Sequence, residues 1–579
     1  QLKIKTLTTI FLFFETKLER IITFAQTPKS MNKNYSILSF RFFSVLVLVI
    51  FSNILQAQTT TWNGSAWDNG TPDITKDAVF TGNFVSSASL ATKSISVSNA
   101  AQVSVLGTHT LTVANNIDVV TGSKLIFENN ASLLQTNATA INTGSINFKR
   151  NTTPMAIYEY TYWSSPVAPQ KLVDLSPQTL SDKYFSFNTT ANDWVYENAN
   201  NAMQTGKGYA IRAPQGYTST PQIYNGEFIG TPNNGNVSSG VVAYIPADLN
   251  YNLLGNPYPS AISVASLIDN STLGTLYFWT HNSAINNNTF STADYAIRTR
   301  NSGIAAISGG SIPSAYIAAG QGFFASSSTT GNIVFTNAMR VSGNNSQFFK
   351  NTQQDSDFYY MWFNMSNAGG AFKQLSIGYE QGATNGYDFG IDAAPSPGTF
   401  INFYSMIGTG TYAIQGRAYP WNASDEIPIG YSSTLADDFT IAIDHVDTFF
   451  DTQDIFIEDL NLSIYHNLKT SPYTFTTAIG TFNNRFKIVY NDPTLSNPSL
   501  TIDTNAVFVH ANASEITVNS TSEKMKNIQI YDVLGRLIFT KEKANNNKIV
   551  INSIAPQNQT LIVKTQLEND QIVSKKLIF

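Results

Sequence analysis

The stretch that decides the fold is SISVSNAAQVSVLGTHTLTVANNIDVVTGSKLIFENNASLL, residues 94–134. Within it, short segments alternate apolar with polar residues and are separated by Asn, Gly, Ala and Ser. The segments begin at Ile95, Val103, Leu111, Ile117, Leu125 and Leu133, at steps of eight, eight, six, eight and eight residues. Alternation buries one face of each segment, so these even steps predict strands stacked as coils of a parallel β-helix. A meander or a sandwich of regular hairpins would give similar spacing and stays open.

The composition of the whole chain favours sheet throughout. Its 579 residues exceed what one hydrophobic core usually serves, which predicts several domains. Charged residues make up 13% and aromatic residues 12%, a mixture that favours twisted sheets over helices. We therefore expect a multidomain all-β protein, with a short β-solenoid or sandwich, duplicated β modules, a jelly-roll-like sandwich and a small C-terminal β-sandwich.

Charge and cysteine content exclude several classes of site. The formal net charge is −5, and Lys and Arg do not cluster as a phosphate backbone requires, so we expect no nucleic-acid partner. The chain has no cysteine, which excludes disulfides, thiol nucleophiles and thiolate metal sites. Its domains must be stable through burial and hydrogen bonds alone.

The beginning of the chain predicts export. Residues 1–30 precede the first Met and are expected to be untranslated upstream sequence, so that Met31 is the start. Residues 31–57 have the parts of a removable signal peptide. We expect cleavage between Ala57 and Gln58.

Three features of this segment carry that expectation. Lys33 and Arg41 supply the positive charge, and residues 42–55 form an apolar run that is short for a bilayer. The alternative is an N-terminal membrane anchor. We expect removal of the segment and no transmembrane segment in the mature chain.

Residues 154–345 contain one module twice, at 154–240 and 241–345, after the solenoid-like repeats of 58–150. The landmarks keep their order in both copies. They are WSSP at 163–166 and LGNP at 254–257, DKYFSFN at 182–188 and GTLYFWTHN at 274–282, GKGYAIRAP at 206–214 and GQGFFASSS at 320–328, and GEFIGTPNNG at 226–235 and GNIVFTNAMR at 331–340. Such copies would form either paired small sandwiches or one sandwich of two related halves.

Two further β units and a linker complete the chain. Alternating segments within residues 355–490 predict an antiparallel sandwich, because strands of that length need a second layer over their apolar face. Residues 491–505 have the composition of a linker. Residues 506–579 form the last unit.

No motif predicts catalysis or a cofactor. The Gly-x-Gly pairs that begin at Gly206 and Gly320 lack the third glycine and the helix of a dinucleotide site, so we interpret them as turn glycines. No nucleophile elbow occurs. The five histidines lack metal-ligand spacing; they are His109, His281, His445, His466 and His510. We expect no enzyme, no cofactor and no metal.

Two groups of residues leave a binding site open. The first is acidic and could supply oxygen ligands to calcium, although acidic turns between strands explain it equally; it comprises Asp437, Asp438, Asp444, Asp447, Asp451, Asp454, Glu458 and Asp459. The second is a set of tryptophans near turns that could stack on sugars or pack in the core; it comprises Trp62, Trp67, Trp163, Trp194, Trp279 and Trp421.

The end of the chain resembles the sorting domains of the type IX secretion system of Bacteroidota. The resemblance covers residues 506–579 and centres on IQIYDVLGRL, residues 528–537, and on the terminal KKLIF, residues 575–579. Its sorting residues are Tyr531, Asp532, Gly535, Arg536, Lys575 and Lys576. Residues 558–561 read Asn-Gln-Thr-Leu where the type A form has Gly-x-Tyr, so the domain looks more like type C. An ordinary terminal β domain is the alternative.

The resemblance implies an address that the outer-membrane translocon recognises, and a secreted or outer-membrane-associated location. The body also resembles repetitive surface proteins of the same bacteria, through WNGSAWDNGTPD, YTYWSSPV, LLGNPYPSAI, AAGQGFF and FTIAID. We therefore expect a structural or adhesin-like surface protein. A carbohydrate-binding accessory protein that contacts a surface glycan is the alternative, and a secreted glycan-active enzyme is a third hypothesis.

Overall fold

The computed structural model describes residues 58–245, 251–283, 290–345, 358–396, 398, 400–492, 506–521 and 523–579. In these residues almost all regular structure is strand, which confirms the expected multidomain all-β class. Two compact units are separated between Ile488 and Val489. The predicted signal peptide, with Ala57, and most of the predicted linker lie outside the described residues. Within the described ranges, the helices are too short or too polar to span a bilayer.

The first unit begins with a β-solenoid. Its strands are β1 (Gln58–Trp62), β2 (Lys76–Phe80), β3 (Phe84–Val85), β4 (Leu90–Thr92), β5 (Ser94–Val97), β6 (Gln102–Val105), β7 (Thr110–Val113), β8 (Ile117–Val119), β9 (Lys124–Phe127), β10 (Ser132–Gln135) and β11 (Ile146–Asn151). They form three parallel stacks, in the orders β1-β2-β5-β8, β3-β6-β9-β11 and β4-β7-β10. The parallel coils confirm the solenoid and exclude the meander.

The spacing of the sequence becomes the register of the coils. Ile95 pairs with Ile117, Val103 with Leu125 and Leu111 with Leu133, so each residue lies beside the one a full coil later. All six side chains are buried in one core. Three successive steps therefore make one turn of the solenoid, and the apolar residues stack in columns inside it.

The first module continues from the solenoid sheet. Its elements are β12 (Tyr160–Trp163), β13 (Val167–Ala168), α1 (Leu172–Leu175), β14 (Tyr184–Asn188), β15 (Asp193–Tyr196), β16 (Tyr209–Arg212) and β17 (Asn225–Pro232). The next strand, β18 (Val237–Val242), pairs antiparallel with a strand of the second module, and its two end residues are buried in that module's core. Strand β17 pairs antiparallel with β11, so the last solenoid strand is covered by the module and not left as a free edge.

The second module has counterparts of β12 to β17 in the same order, together with further short elements. They are β19 (Asn252–Gly255), β20 (Ala261–Ser263), α2 (Val264–Asp269), β21 (Leu273–Trp279), a 3-10 turn (Thr292–Asp294), β22 (Tyr295–Arg298), β23 (Gly303–Ile304), β24 (Tyr316–Ile317), β25 (Gly322–Ser327), β26 (Gly331–Phe335), a 3-10 turn (Asn337–Met339) and β27 (Arg340–Val341). The main sheets have the orders β12-β16-β14-β15 and β19-β25-β21-β22-β23. In each, the strand after the Gly-x-Gly pair lies between the same two neighbours.

The two Gly-x-Gly turns reach across to the opposite copy. Lys207 forms a backbone bridge with Leu254, and Gln321 forms one with Trp163. The N–H of Ser164 donates to the carbonyl of Gly320, and the N–H of Gly255 donates to the carbonyl of Gly206, each at 3.0 Å. The landmarks thus contact each other reciprocally, which is the arrangement of two halves related by an approximate two-fold axis.

The third part of this unit is a two-sheet β region. Its elements are β28 (Phe358–Ser366), β29 (Phe372–Glu380), β30 (Ile401–Ile407), β31 (Gly410–Tyr412), β32 (Ile414–Ala418), β33 (Glu426–Ser433), β34 (Asp437–Val446), a 3-10 turn (Thr448–Phe450), β35 (Phe456–Asp459), β36 (Ile464–Asn467), β37 (Tyr473–Thr477) and β38 (Gly480–Val489). The sheet orders are β32-β29-β28-β34-β37 and β31-β30-β33-β38-β35-β36. One pair, β29 with β32, is parallel.

The second unit is a small sandwich with its own core. Its strands are β39 (Val507–Ala511), β40 (Ile516–Ser520), β41 (Met525–Asp532), β42 (Leu537–Asn546), β43 (Lys548–Ile551), β44 (Thr560–Leu567) and β45 (Ile572–Ile578). They form sheets of order β39-β40-β43 and β42-β41-β44-β45. All the pairings are antiparallel.

Candidate functional site

The predicted sorting residues centre on the hairpin between β41 and β42. The Asp532 carboxylate accepts hydrogen bonds from the N–H of Leu534 and of Arg536, both at 2.9 Å, and its second oxygen lies 2.6 Å from Arg536 Nε. Gly535 has φ of 79°, a left-handed conformation that favours glycine. The backbone N–H of Arg536, and next its guanidinium, lower the pKa of Asp532. The Tyr-Asp-x-x-Gly-Arg turn is therefore held by hydrogen bonds and an ion pair between its own residues, Asp532 and Arg536.

One outward row of the four-stranded sheet brings separate parts of the predicted signal together. Tyr531 pairs with Leu537 on one side and with Ile562 on the other, and Ile562 pairs with Lys576. Leu537 is 50% exposed and Ile562 is 40% exposed. The next turn adds Val533 and Leu534, at 67% and 78% exposure. This exposed row, Leu537–Tyr531–Ile562–Lys576, is an apolar strip with one cation at its end.

The last residues of the chain belong to the sandwich itself. Phe579 is buried in the core of the unit, and its N–H donates to the carbonyl of Gln559 at 2.9 Å. Lys575 pairs with buried Val563, so it lies on the opposite face from Lys576. The two lysines do not form a single basic site.

The six tryptophans considered for sugar binding lie in different environments. Trp163 is buried at 2% exposure, so at this position the ring packs in the core, which is one of the two alternatives left open by the sequence. Its ring packs on Tyr224 and Phe228, because alternation along β12 turns it away from Tyr162 and into the core. Trp62 and Trp67 pack on each other, and Trp421 packs on Phe449 and Phe450. The remaining two, Trp194 and Trp279, line one cleft.

This aromatic cleft has a volume of about 380 Å³ and lies where the two module copies meet. The described residues that line it are Tyr160, Tyr162, Phe185, Trp194, Ala210, Trp279, Phe290, Ser291, Thr292 and Tyr295. The first copy contributes one wall and the second copy contributes the other. The cleft therefore exists only when both copies are folded together.

The walls of the cleft are the outward faces of the two main sheets. In each sheet one face packs into a core beneath it, for example Tyr209 in the first copy and Phe323 in the second. The other faces meet in an aromatic cluster that includes Tyr162, Phe324 and Trp279. Tyr162 and Trp279 stack with ring centroids 6.0 Å apart. Rings fixed in this way form rigid walls of low conformational entropy.

Polar groups in the cleft are neutral. The hydroxyls of Tyr162 and Tyr295 lie 2.6 Å apart, and burial raises the pKa of both phenols, so they stay protonated. Each phenol has one donor and the pair uses one of them. The Ser291 hydroxyl accepts from the N–H of Ala293 at 3.1 Å, and none of the lining side chains of the described chain carries a charge. The Trp279 Nε1 is a buried donor without a partner there.

Comparison with known families covers nearly all of the chain after residue 55. A family model for a domain of unknown function, DUF8693, matches residues 56–490. The chain belongs to the DUF8693 family. A second domain of unknown function, DUF8694, matches residues 495–579. A search of curated proteins found no match.

The family boundaries follow the structural division. The DUF8693 match ends beside Val489, where the second compact unit begins, and the DUF8694 match contains the small sandwich. The aromatic cleft lies wholly in the DUF8693 region, and the predicted sorting residues lie wholly in the DUF8694 region.

The acidic residues of the DUF8693 region are dispersed. Over the described part of that region, no three His, Cys, Asp or Glu residues converge as metal ligands. Individual carboxylates contact different protein groups, as when Asp437 accepts from Asn367, Asp454 from Asn467 and Asp459 from Tyr473. Strand pairing separates residues that are close in sequence. The structure therefore places the acidic residues between Asp437 and Asp459 in strands and turns.

A buried polar cluster joins the second copy to the third part of the DUF8693 region. The Tyr360 hydroxyl donates to Glu380 at 2.7 Å, and Asn301 donates to the same carboxylate at 3.2 Å. Burial raises the pKa of Glu380. Burial also raises the pKa of Asp392 to about 7, against the backbone N–H groups of Asp388 and Gly416. No sequence motif marks this cluster, because its members come from separate strands.

Proposed function

We propose that this protein is an exported, non-enzymatic surface protein with a structural or adhesin-like role, delivered by a type IX secretion system through residues 506–579. The observation that supports the proposal is the exposed row Leu537–Tyr531–Ile562–Lys576. Motif positions distant in sequence share one accessible face there, beside a turn that Asp532 and Arg536 hold. Contiguous exposed apolar surface in a compact domain is typical of an interaction surface. The translocon is the partner that the sequence resemblance implies.

The body suits a scaffold role. The stacked coils of the solenoid lead into the two module copies. The last solenoid strand, β11, pairs with β17 of the first module. The secreted or outer-membrane-associated location belongs to the same proposal.

A reporter fusion tests the export role. Residues 506–579 have their own core, so they can be fused to a fluorescent protein that carries a signal peptide, in a host with a type IX system. We expect the fusion on the cell surface or in the medium. Retention of the intact fusion in the periplasm would contradict the proposal.

Point substitutions distinguish loss of the sorting signal from unfolding of the domain. Deleting residues 575–579 would remove buried Phe579 and half of β45, so loss of export could reflect unfolding. Leu534→Ser and Lys576→Ser change exposed positions only, and we expect each to reduce export. Lys548→Ser, an exposed lysine of the other sheet, is the control and should export normally.

A further inference from the structure

The aromatic cleft results from one difference between the two module copies. Each copy has an aromatic pair at equivalent positions: Tyr160 and Phe185 lie 6.0 Å apart, and Tyr251 and Tyr277 lie 5.4 Å apart. Phe185 pairs in register with Ala210, whereas Tyr277 pairs in register with Phe324. The two copies therefore share the aromatic pair and differ in the residue that pairs with its second member, which is Ala210 in the first copy and Phe324 in the second.

Phe324 fills its position completely. Its ring lies within 6.3 Å of the rings of Tyr162, Phe187, Trp194, Tyr251 and Tyr295. The Ala210 methyl leaves the corresponding volume open, and that residue lines the cleft. Two copies related by an approximate two-fold axis would form two equivalent clefts. The second cleft is filled by the Phe324 ring.

The open cleft has the size and composition of a small-molecule site. Its volume of about 380 Å³ falls within the range of such sites. The walls are aromatic faces, and the polar groups are hydroxyls of Ser291, Thr292 and the tyrosine pair.

The chemistry of the lining selects among ligand classes. A charged ligand would lose its hydration without meeting an opposite charge, and only a quaternary ammonium could offset that loss on the aromatic faces. A purely apolar ligand would leave the hydroxyls unpaired. A sugar ring has apolar faces for the indole and phenol rings and hydroxyls at its edge for the polar groups.

We propose that the aromatic cleft binds one or two rings of a neutral oligosaccharide, and that Ala210 is the residue that keeps the site open. Trp194 provides an accessible face, since it is 38% exposed on the edge strand β15. The proposal deepens the carbohydrate-binding hypothesis drawn from the sequence. It does not depend on the route of export.

Calorimetric titration of the full chain tests the site. The probes are cellohexaose, xylohexaose, mannohexaose and chitohexaose, with hexagalacturonate and tetramethylammonium as charged ligands. We expect at least one neutral probe to bind with Kd below about 1 mM, and both charged ligands to show no binding. Ala210→Phe, which copies the residue of the second module, should weaken binding by at least about tenfold.

Two further variants keep the result interpretable. Trp194→Ala removes a 38% exposed ring that lines the cleft and also packs on Phe187 and Phe324, and it should weaken binding by at least about tenfold while near-ultraviolet circular dichroism shows that the remaining aromatic cluster stays folded. Tyr387→Ala removes another exposed aromatic, away from the cleft, and should leave binding unchanged. Silence of all four neutral probes, tighter binding of a charged ligand, or undiminished binding by both cleft variants would overturn the proposal.

Discussion

The main sheets of the two module copies share the order of their first four strands and exchange the same backbone contacts, yet the surface between them is open at Ala210 of the first copy and filled at Phe324 of the second. The shared features are backbone features: the Gly-x-Gly turns, the bridges to Trp163 and Leu254, and the order of pairing. The difference is in side chains, and chiefly in Ala210 against Phe324. Duplication thus supplies a stable frame, and a change at one position of that frame alters what its surface can hold.

The largest expected effect comes from removing the side chain that closes the second cleft. Phe324→Ala deletes a ring that packs on several aromatic neighbours, so we expect a loss of about 3 to 5 kcal/mol in unfolding free energy. Urea unfolding followed by near-ultraviolet circular dichroism measures the change. Phe290→Ala, at the 41% exposed rim of the open cleft, is the matched control and should cost less than about 1 kcal/mol. Equal losses would mean that the two sites are not different in packing.

The copies also differ in the parts of the chain that they contact, and the pH dependence of stability should reveal this difference. Only the second copy contacts the buried cluster of Glu380, near Asp392, among the described residues. An acid whose pKa is raised on folding binds a proton more tightly in the folded state, so stability falls as pH rises. We expect the unfolding free energy to decrease by a few kcal/mol between pH 4 and about 7 and then to level off.

Asp392→Asn tests the origin of that slope. The amide cannot ionise, so the variant should lose much of the dependence between pH 4 and 7. Its NH2 group faces one of the two backbone N–H donors, so its stability should also fall by about 1 to 3 kcal/mol at every pH. Thermal unfolding across this pH range is the measurement. A slope that persists unchanged in the variant would assign the effect to other groups.

The Gly-x-Gly turns offer an intermediate effect. A Cβ at Gly208 would lie 2.5 Å from the carbonyl oxygen of Leu254, whereas a Cβ at Gly322 would lie 3.0 Å from the carbonyl carbon of Tyr162. Gly208→Ala should therefore cost about 1 to 3 kcal/mol, and Gly322→Ala should cost less. Chemical unfolding of both variants gives the comparison. The reverse order would show that the first turn can relax and the second cannot.

Much of this frame could be predicted from sequence, because it depends on local patterns. The steps from Ile95 to Leu133 predict both the strands and the coil that brings them into register. The landmark order of the copies agrees with their strand pairing. These features depend on alternation and on turn glycines, which are visible in a single sequence.

The cleft could not be predicted in the same way. Whether Trp163 or Tyr162 faces the opposite sheet depends on which faces of two distant strands meet, and alternation alone leaves that choice open. Trp194 and Trp279 come together only through the packing of the copies. One signal was present, since aligning GKGYAIR with GQGFFAS places Ala210 opposite Phe324. A small residue facing a large one in a repeat marks a place where the copies cannot pack identically.

The smallest expected effect concerns the middle residue of the Gly-x-Gly turns, Lys207 in one copy and Gln321 in the other. Both form the same backbone bridge, but only Lys207 adds an ion pair, with its Nζ 3.1 Å from Glu197. Lys207→Gln keeps the bridge and removes the ion pair, so the loss should stay below about 1 kcal/mol and shrink in 1 M salt. Urea unfolding at low and high salt measures both. A loss above about 2 kcal/mol that salt does not change would place the strength of the turn in the lysine side chain and not in the backbone that the copies share.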